Sequence, residues 1–126
     1  MDELVRMGKT EEGQLVVTSR QVADDFGKRH SDVLRTIEDK MKVNEILRSP
    51  KYFIESTYTD KSNRQSKEYL LTRDGFSFIV MGFNGKRADE WKLKYIEAFN
   101  RMEKEINELL PIIAEQRKQI VELTNN

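Results

Sequence analysis

Two clusters of basic and amide side chains are the residues of this sequence best suited to contact a phosphate or the edge of a base. The first cluster follows one predicted helix and opens the next, and consists of Lys28, Arg29, His30, Ser31 and Arg35. At the start of a recognition helix, such side chains reach the major groove of DNA. Asp24, Asp25 and Asp32 weaken the positive field around them. A solvated turn between two packed helices therefore explains the cluster equally well.

The second cluster lies at the tip of a predicted β-hairpin. Its members are long or amide-bearing hydrogen-bond donors: Lys61, Asn63, Arg64, Gln65 and Lys67. A winged helix-turn-helix uses the tip of its wing in this way, whereas an ordinary charged loop only keeps a protein in solution. Because this hairpin follows a helix-turn-helix candidate in the chain, we favour the wing.

Catalysis has few residues available in this sequence. It contains no cysteine, which removes thiolate metal sites and cysteine nucleophiles, and its one histidine cannot form a histidine-based metal site. No serine or carboxylate pattern around His30 suggests a catalytic triad. We therefore expect no enzyme, no catalytic residues, no metal, no cofactor and no small-molecule substrate.

The first cluster is positioned by a predicted helix pair. A short β-type run, Leu15 to Val17, precedes Thr18 and Gln21, which have the spacing of a capping box that opens the first helix. Gly27 is the natural left-handed stop of that helix, and Ser31 is suited to cap the second. The apolar residues recur at helical spacing in both segments: Val22, Ala23 and Phe26, then Val33, Leu34, Ile37 and Met41. The pair is a helix-turn-helix candidate.

The rest of the chain alternates between strand and helix signals. Aromatic and β-branched residues predict strands over 52–59 and 68–72, with a long polar tip over 60–67. Thr72 is suited to cap a third helix, Arg73 to Met81. Helical spacing then predicts a fourth helix through Ala88, Trp91, Tyr95 and Phe99.

A heptad pattern extends along the last part of the sequence. Its members are alternately three and four residues apart: Phe99, Met102, Ile106, Leu109, Ile113, Gln116, Ile120 and Leu123. We expect the apolar members of this seam to mediate oligomerisation, with a dimer as the expected state. Pro111 removes one backbone hydrogen bond, so we expect a kink or two helices there.

Charge is unevenly distributed along a chain of zero formal net charge. Residues 1–12 and 102–126 each carry a net charge of −2, which leaves +4 for residues 13–101. This mildly basic middle permits phosphate contact without requiring it. The sequence has no apolar run of the ~18 residues that a membrane span needs, and its charged first residues are unlike a signal peptide. We expect a protein of the cytoplasm, without membrane contact.

Three stretches of this sequence resemble the Rha family of phage regulatory proteins. They are VVTSRQVADDFGKRHSDVLRTIE at 16–38, FIESTY at 53–58 and KEYLLTRDGFSFIVMGFNGKRADEWKLKYIEAFNRME at 67–103. The resemblance implies a phage or prophage protein in a bacterial host cell, acting as a transcriptional regulator or antirepressor, with a DNA-binding N-terminal domain and no catalysis. It also adds Arg20 to the expected DNA-binding residues.

These patterns lead to one prediction of fold and function. We expect an α+β protein with a winged helix-turn-helix-like N-terminal domain, formed by the helix pair, the hairpin and two packing helices, and a C-terminal coiled-coil extension. The predicted regions are an N-terminal tail at 1–14, a regulatory domain at 15–103 and an oligomerisation helix at 104–126. The expected partner is duplex DNA; the alternative is a phage repressor protein that the chain binds and inactivates.

Overall fold

The computed structural model describes the backbone of residues 5–124 and the side chains of residues 5–108. Along the chain it contains β1 (Gly8–Lys9), β2 (Leu15–Thr18), α1 (Ser19–Asp25), α2 (His30–Val43), a 3-10 turn (Glu45–Arg48), β3 (Phe53–Thr59), β4 (Gln65–Leu71), α3 (Arg73–Val80) and α4 (Lys86–Thr124). The predicted α+β class is confirmed. The chain divides into two compact units, Met1–Lys94 and Tyr95–Asn126. The predicted boundaries after residues 14 and 103 stay predictions.

The strands form one antiparallel sheet in the order β1-β2-β4-β3. β3 and β4 pair along their full length, from Phe53 opposite Leu71 to Thr59 opposite Gln65, whereas β2 joins β4 through two pairs. β1 lies in the stretch predicted as a tail, and its residue Gly8 pairs with β2. The sheet therefore begins with a strand that periodicity did not reveal.

The turn between α1 and α2 has the predicted stop residue but a different second cap. The Thr18 hydroxyl accepts a hydrogen bond from the Gln21 backbone N–H at 3.1 Å, and Gly27 has a φ of 68°, as a left-handed helix stop requires. The prediction that Ser31 caps the second helix is wrong, because α2 begins at His30 and its N-cap residue, Arg29, makes no side-chain capping hydrogen bond. Instead, an acidic residue in the first turn favours this helix start electrostatically.

The hairpin tip is shorter than predicted. β4 begins at Gln65, so the loop covers 60–64 instead of 60–67. The Asp60 carboxylate closes this loop by accepting hydrogen bonds from the backbone N–H groups of Ser62 at 2.9 Å and Arg64 at 3.0 Å. Asn63 takes up the positive φ, 61°, that the tight turn requires. Local hydrogen bonding thus allows the pairing of β3 with β4 to continue into a segment whose polarity predicted a loop.

Helix α3 is capped as predicted and lies close to the base of the hairpin. The Thr72 hydroxyl accepts from the Gly75 N–H at 3.2 Å and donates to the Lys51 carbonyl at 2.6 Å. Gly75 lies against the Tyr52 carbonyl, where a Cβ atom would overlap the backbone. In the core beside it, the Phe26 ring lies 6.0 Å from that of Phe76.

Helix α4 is continuous from Lys86 to Thr124 and passes through Pro111. Of the two expected alternatives at Pro111, two separate helices are therefore wrong, and a kink stays a prediction. A proline removes one hydrogen bond, whereas each further residue of an established helix restores one, so the rest of a long helix outweighs that local loss. No helix in the described part of the chain combines the length and apolar character needed to cross a membrane.

Candidate nucleic-acid interface

The basic side chains at the start of α2 are mostly exposed. The side chains of Arg29 and Arg35 are 82% and 69% exposed, and Lys28 and Ser31 are also exposed. The Lys28 ammonium lies 5.0 Å from the centre of the Phe83 ring, which places its aliphatic stem along the protein while its charge remains accessible. The turn and the first turns of α2 thus present a cationic surface.

Asp32 partly neutralises the positive charge of that surface. Its carboxylate accepts a hydrogen bond from Arg29 Nε at 3.0 Å and lies 3.6 Å from a terminal nitrogen of Arg35. Both contacts join residues three apart on one helix, the spacing at which side chains meet. Asp32 therefore holds the two guanidinium groups on the same side of the helix and partly neutralises them, a role beyond the general weakening of the field that the sequence suggested.

His30 is half-buried and engaged within the protein. Its Nε2 lies 2.8 Å from the Ser19 hydroxyl, and its ring meets the Tyr58 ring edge-on with centres 6.0 Å apart. Burial lowers the pKa of His30, Glu68 opposes this shift and Arg20 adds to it. His30 therefore links α2 to α1 and to the hairpin, which leaves its ring little freedom to contact a ligand.

The serine beside His30 was missed because it lies eleven residues earlier in the chain. Ser19 is fully buried, and its hydroxyl also accepts a hydrogen bond from the Tyr69 backbone N–H at 3.0 Å. A nucleophile must be reachable by its substrate, so this pair has the atoms of a catalytic dyad without the access. Its evident role is to join the start of α1 to β4.

The Arg20 side chain forms its described contacts with the hairpin. Its Nε donates to the Glu68 carboxylate at 2.9 Å, and its guanidinium carbon lies 3.9 Å from the centre of the Tyr58 ring. Glu68 is the buried partner, with 5% of its side chain exposed against 45% for Arg20. No sequence pattern indicated this pair, because its members are 48 residues apart.

The basic residues of the hairpin belong to two groups. Lys61 and Arg64 lie in the exposed loop, and neither side chain forms an ion pair within the described residues. Lys67 lies in β4, and its ammonium is 2.7 Å from a Glu38 carboxylate oxygen and 3.8 Å from one of Glu55. The hydrogen bond between Lys67 and Glu38 raises the pKa of Lys67 and lowers that of Glu38.

Arg87 holds the end of α1 and was also missed. Its guanidinium donates to the backbone carbonyls of Asp25 at 3.0 Å and Asp24 at 3.1 Å, and lies against Gly27. The last carbonyls of a helix lack partners within the helix, and a cation there also suits the helix dipole. Arg87 thereby fixes the turn that leads to the basic cluster.

Of the predicted oligomerisation residues, three have described side chains. Phe99 is 1% exposed, and Met102 and Ile106 are half-buried. The side chains of Leu109, Ile113, Ile120 and Leu123 lie outside the described residues, as does that of Gln116. Any seam along the described part of α4 therefore begins after Phe99.

The family model described as phage regulatory protein Rha matches residues 17–104. An SPbeta prophage-derived putative antirepressor protein, YoqD of Bacillus subtilis (strain 168), is 40% identical over 94 residues, covering 73% of this chain and 38% of that protein. An uncharacterized 22.8 kDa protein of Salmonella phage P22 is 35% identical over 112 residues, covering 87% of this chain and 55% of its own length. The chain thus covers 38% of the length of the first relative and 55% of the length of the second. No solved structure matches.

Proposed function

The chain belongs to the Rha family of phage regulatory proteins, and from this premise we propose that it regulates phage genes by binding duplex DNA through a winged helix-turn-helix. In this proposal α1 and α2 are the helix pair, α2 is the recognition helix, and the hairpin of β3 and β4 is the wing. Winged proteins place such a helix in the major groove and use the wing on the adjoining backbone.

The order of the elements carries this proposal. Strand β2 leads directly into α1 and α2, and the hairpin follows with β4 between β2 and β3. β4 contacts both helices, because Glu68 binds Arg20 of α1 and Lys67 binds Glu38 of α2. A recognition helix and a wing that are tied to each other are what simultaneous binding to a groove and its flanking phosphates requires.

The exposure of the basic side chains supports different roles for them in this proposal. Arg29, the N-cap residue of α2, and Arg35 are exposed cations at the start of the recognition helix, and arginine suits bidentate contact with guanine. Lys61 and Arg64, at the tip of the wing, are suited to phosphate, which carries no sequence information. Substitution of the first pair should therefore change sequence preference, whereas substitution of the second should weaken binding to all sequences alike.

The test is a titration of the purified full chain with promoter DNA from its own phage genome over a series of salt concentrations. Phosphate contacts predict an affinity that falls steeply with salt, with a logarithmic slope of about −0.9 for each phosphate neutralised. Alanine at Arg35 should cost about 1–3 kcal/mol on the preferred site and relax the preference at one base pair. Alanine at Asp39, an exposed residue of the same helix, is the matched control and should not reduce affinity. Absence of saturable binding at low salt contradicts the proposal.

A second candidate function is inactivation of a repressor by protein contact. The observation in its favour is the internal neutralisation of the basic residues, because Asp32 engages both Arg29 and Arg35. Specific readers of DNA usually carry a stronger positive surface. The relative YoqD is named as a putative antirepressor. Capture of the purified phage repressor by a chain that does not bind DNA would establish this function instead.

We also propose that the chain associates with a second copy through α4. The heptad spacing extends from Met102 onward, and Met102 and Ile106 are partly exposed in the single chain. Two-fold association would give two recognition helices and suit an operator with two half-sites. Sedimentation of the full chain measures its mass and so distinguishes a dimer from a monomer.

A further inference from the structure

Strand β4 is held by charged contacts on both of its faces. Side chains alternate along a strand, so Glu68 points to one face while its neighbours Lys67 and Tyr69 point to the other. On the first face, the contact comes from Arg20 of α1; on the second, it comes from Glu38 of α2. Helix α1 thus contacts the first face through Arg20, whereas α2 contacts the second face through Glu38 and also reaches Tyr58, beside Arg20, through His30.

On the first face, the buried carboxylate of Glu68 depends on Arg20. A carboxylate withdrawn from water is costly unless a cation and hydrogen bonds compensate it, and Arg20 Nε supplies both at 2.9 Å. The guanidinium carbon lies 3.9 Å from the Tyr58 ring centre, so the group contacts both the ring and the carboxylate while 45% of the Arg20 side chain stays exposed. Turning Arg20 toward a phosphate would leave Glu68 unpaired.

On the second face, Lys67 lies between two carboxylates. Its ammonium is 2.7 Å from Glu38 and 3.8 Å from Glu55, and the Tyr69 hydroxyl donates to the same Glu38 oxygen at 3.4 Å. A phosphate that approached this ammonium would meet the negative charges of both carboxylates. Lys61, in the exposed loop, has no ion pair of this kind within the described residues.

We infer that Arg20 and Lys67 are positioning residues, which fix the angle of the wing to the recognition helix and do not bind phosphate. The effect of these two residues on DNA binding rests on the proposed function. The bracing itself is a property of the free protein. The phosphate contacts of the wing are then confined to its loop, through Lys61 and Arg64.

The first test uses hydrogen–deuterium exchange of the free full chain. The substitution Arg20→Met leaves the buried Glu68 carboxylate without its cation, which is destabilising. Amides of β3 and β4 should then exchange about tenfold faster relative to those of α3, which is the effect of losing roughly one charge-assisted hydrogen bond. Lys61→Met is the control and should leave exchange unchanged. If Arg20→Met exchanges like the wild type, the bracing role is overturned.

The second test compares two variants that each remove one positive charge from the hairpin. Lys61→Met should reduce the magnitude of the salt slope of DNA binding by roughly 0.9, since one phosphate contact is lost. Lys67→Met should weaken binding to the preferred site about tenfold and leave the slope unchanged, because it changes the position of the wing and not the number of phosphate contacts. An equal reduction of the slope in both variants would make Lys67 a phosphate ligand and overturn its positioning role.

The two tests fail separately. A wild-type chain that binds no DNA would refute the proposed function, whereas the exchange experiment would still decide whether the hairpin is braced. Normal DNA binding with unchanged exchange would refute the bracing alone.

Discussion

The substitution Gly75→Ala tests how tightly the base of the hairpin is packed against α3. A Cβ atom at position 75 would overlap the Tyr52 carbonyl oxygen and lie 3.1 Å from the Phe53 ring. That carbonyl accepts the Thr72 backbone N–H at 3.1 Å, so moving it away weakens a hydrogen bond between the start of α3 and the start of β3.

The expected loss of stability follows from three effects of different sign. Overpacking typically costs about 1–3 kcal/mol. A weakened hydrogen bond costs roughly 1 kcal/mol. Alanine inside a helix is favoured over glycine by about 1 kcal/mol. We therefore expect Gly75→Ala to lower the free energy of unfolding by about 1–3 kcal/mol.

Urea denaturation of the full chain, followed by circular dichroism at the helix band, measures this loss. Gly82→Ala is the matched control, because its Cβ would meet no atom closer than the Ile79 carbonyl oxygen at 3.8 Å and its φ is not positive. The control should stay within ~0.5 kcal/mol of the wild type. If Gly75→Ala proves as stable as Gly82→Ala, the close approach of α3 to Tyr52 is incorrect.

Three further outcomes are expected. Because burial lowers the pKa of His30 from 6.5, the unfolded chain binds its proton at higher pH than the folded chain does. The free energy of unfolding should therefore fall as the pH drops below about 6.5. The substitution His30→Gln should flatten this pH dependence in urea titrations. Asp32→Asn releases Arg29 and Arg35, so it should raise DNA affinity about three- to tenfold in a fluorescence titration, and lower affinity would contradict the assigned roles. Ile106→Lys should reduce the mass of the full chain in sedimentation to that of one copy, and an unchanged mass would place the interface elsewhere.

The features predicted correctly from the sequence are those set by neighbouring residues. Thr18 and Thr72 cap helices because a hydroxyl meets an N–H three residues later, and Gly27 ends α1 because glycine tolerates a positive φ. The predicted start of the second helix was displaced: serine is a preferred N-cap residue, yet α2 begins at His30, before Ser31.

The partners of the basic residues could not be predicted, because they depend on how strands and helices pack. Lys67 and Glu38 are 29 residues apart, and Arg20 and Glu68 are 48 apart. Their contact follows from the register of β4 against β3 and from the direction of α2, neither of which periodicity specifies. The sequence thus indicated which side chains are cationic, and the fold determines which of them remain available.

The anchoring of α1 by Arg87 also affects the order in which a nascent chain acquires its structure. The strands of the hairpin pair residues at most 18 positions apart, from Phe53 to Leu71, whereas Arg87 reaches back 62 positions to Asp25. At a synthesis rate of about 5–20 residues per second, α1 leaves the ribosome roughly 3–12 seconds before the residue that anchors it. Local pairs form before distant ones, so we expect the wing to be complete while the helix pair is still unanchored. The helix pair, which we propose reads DNA, would then be anchored last, after the hairpin that it holds.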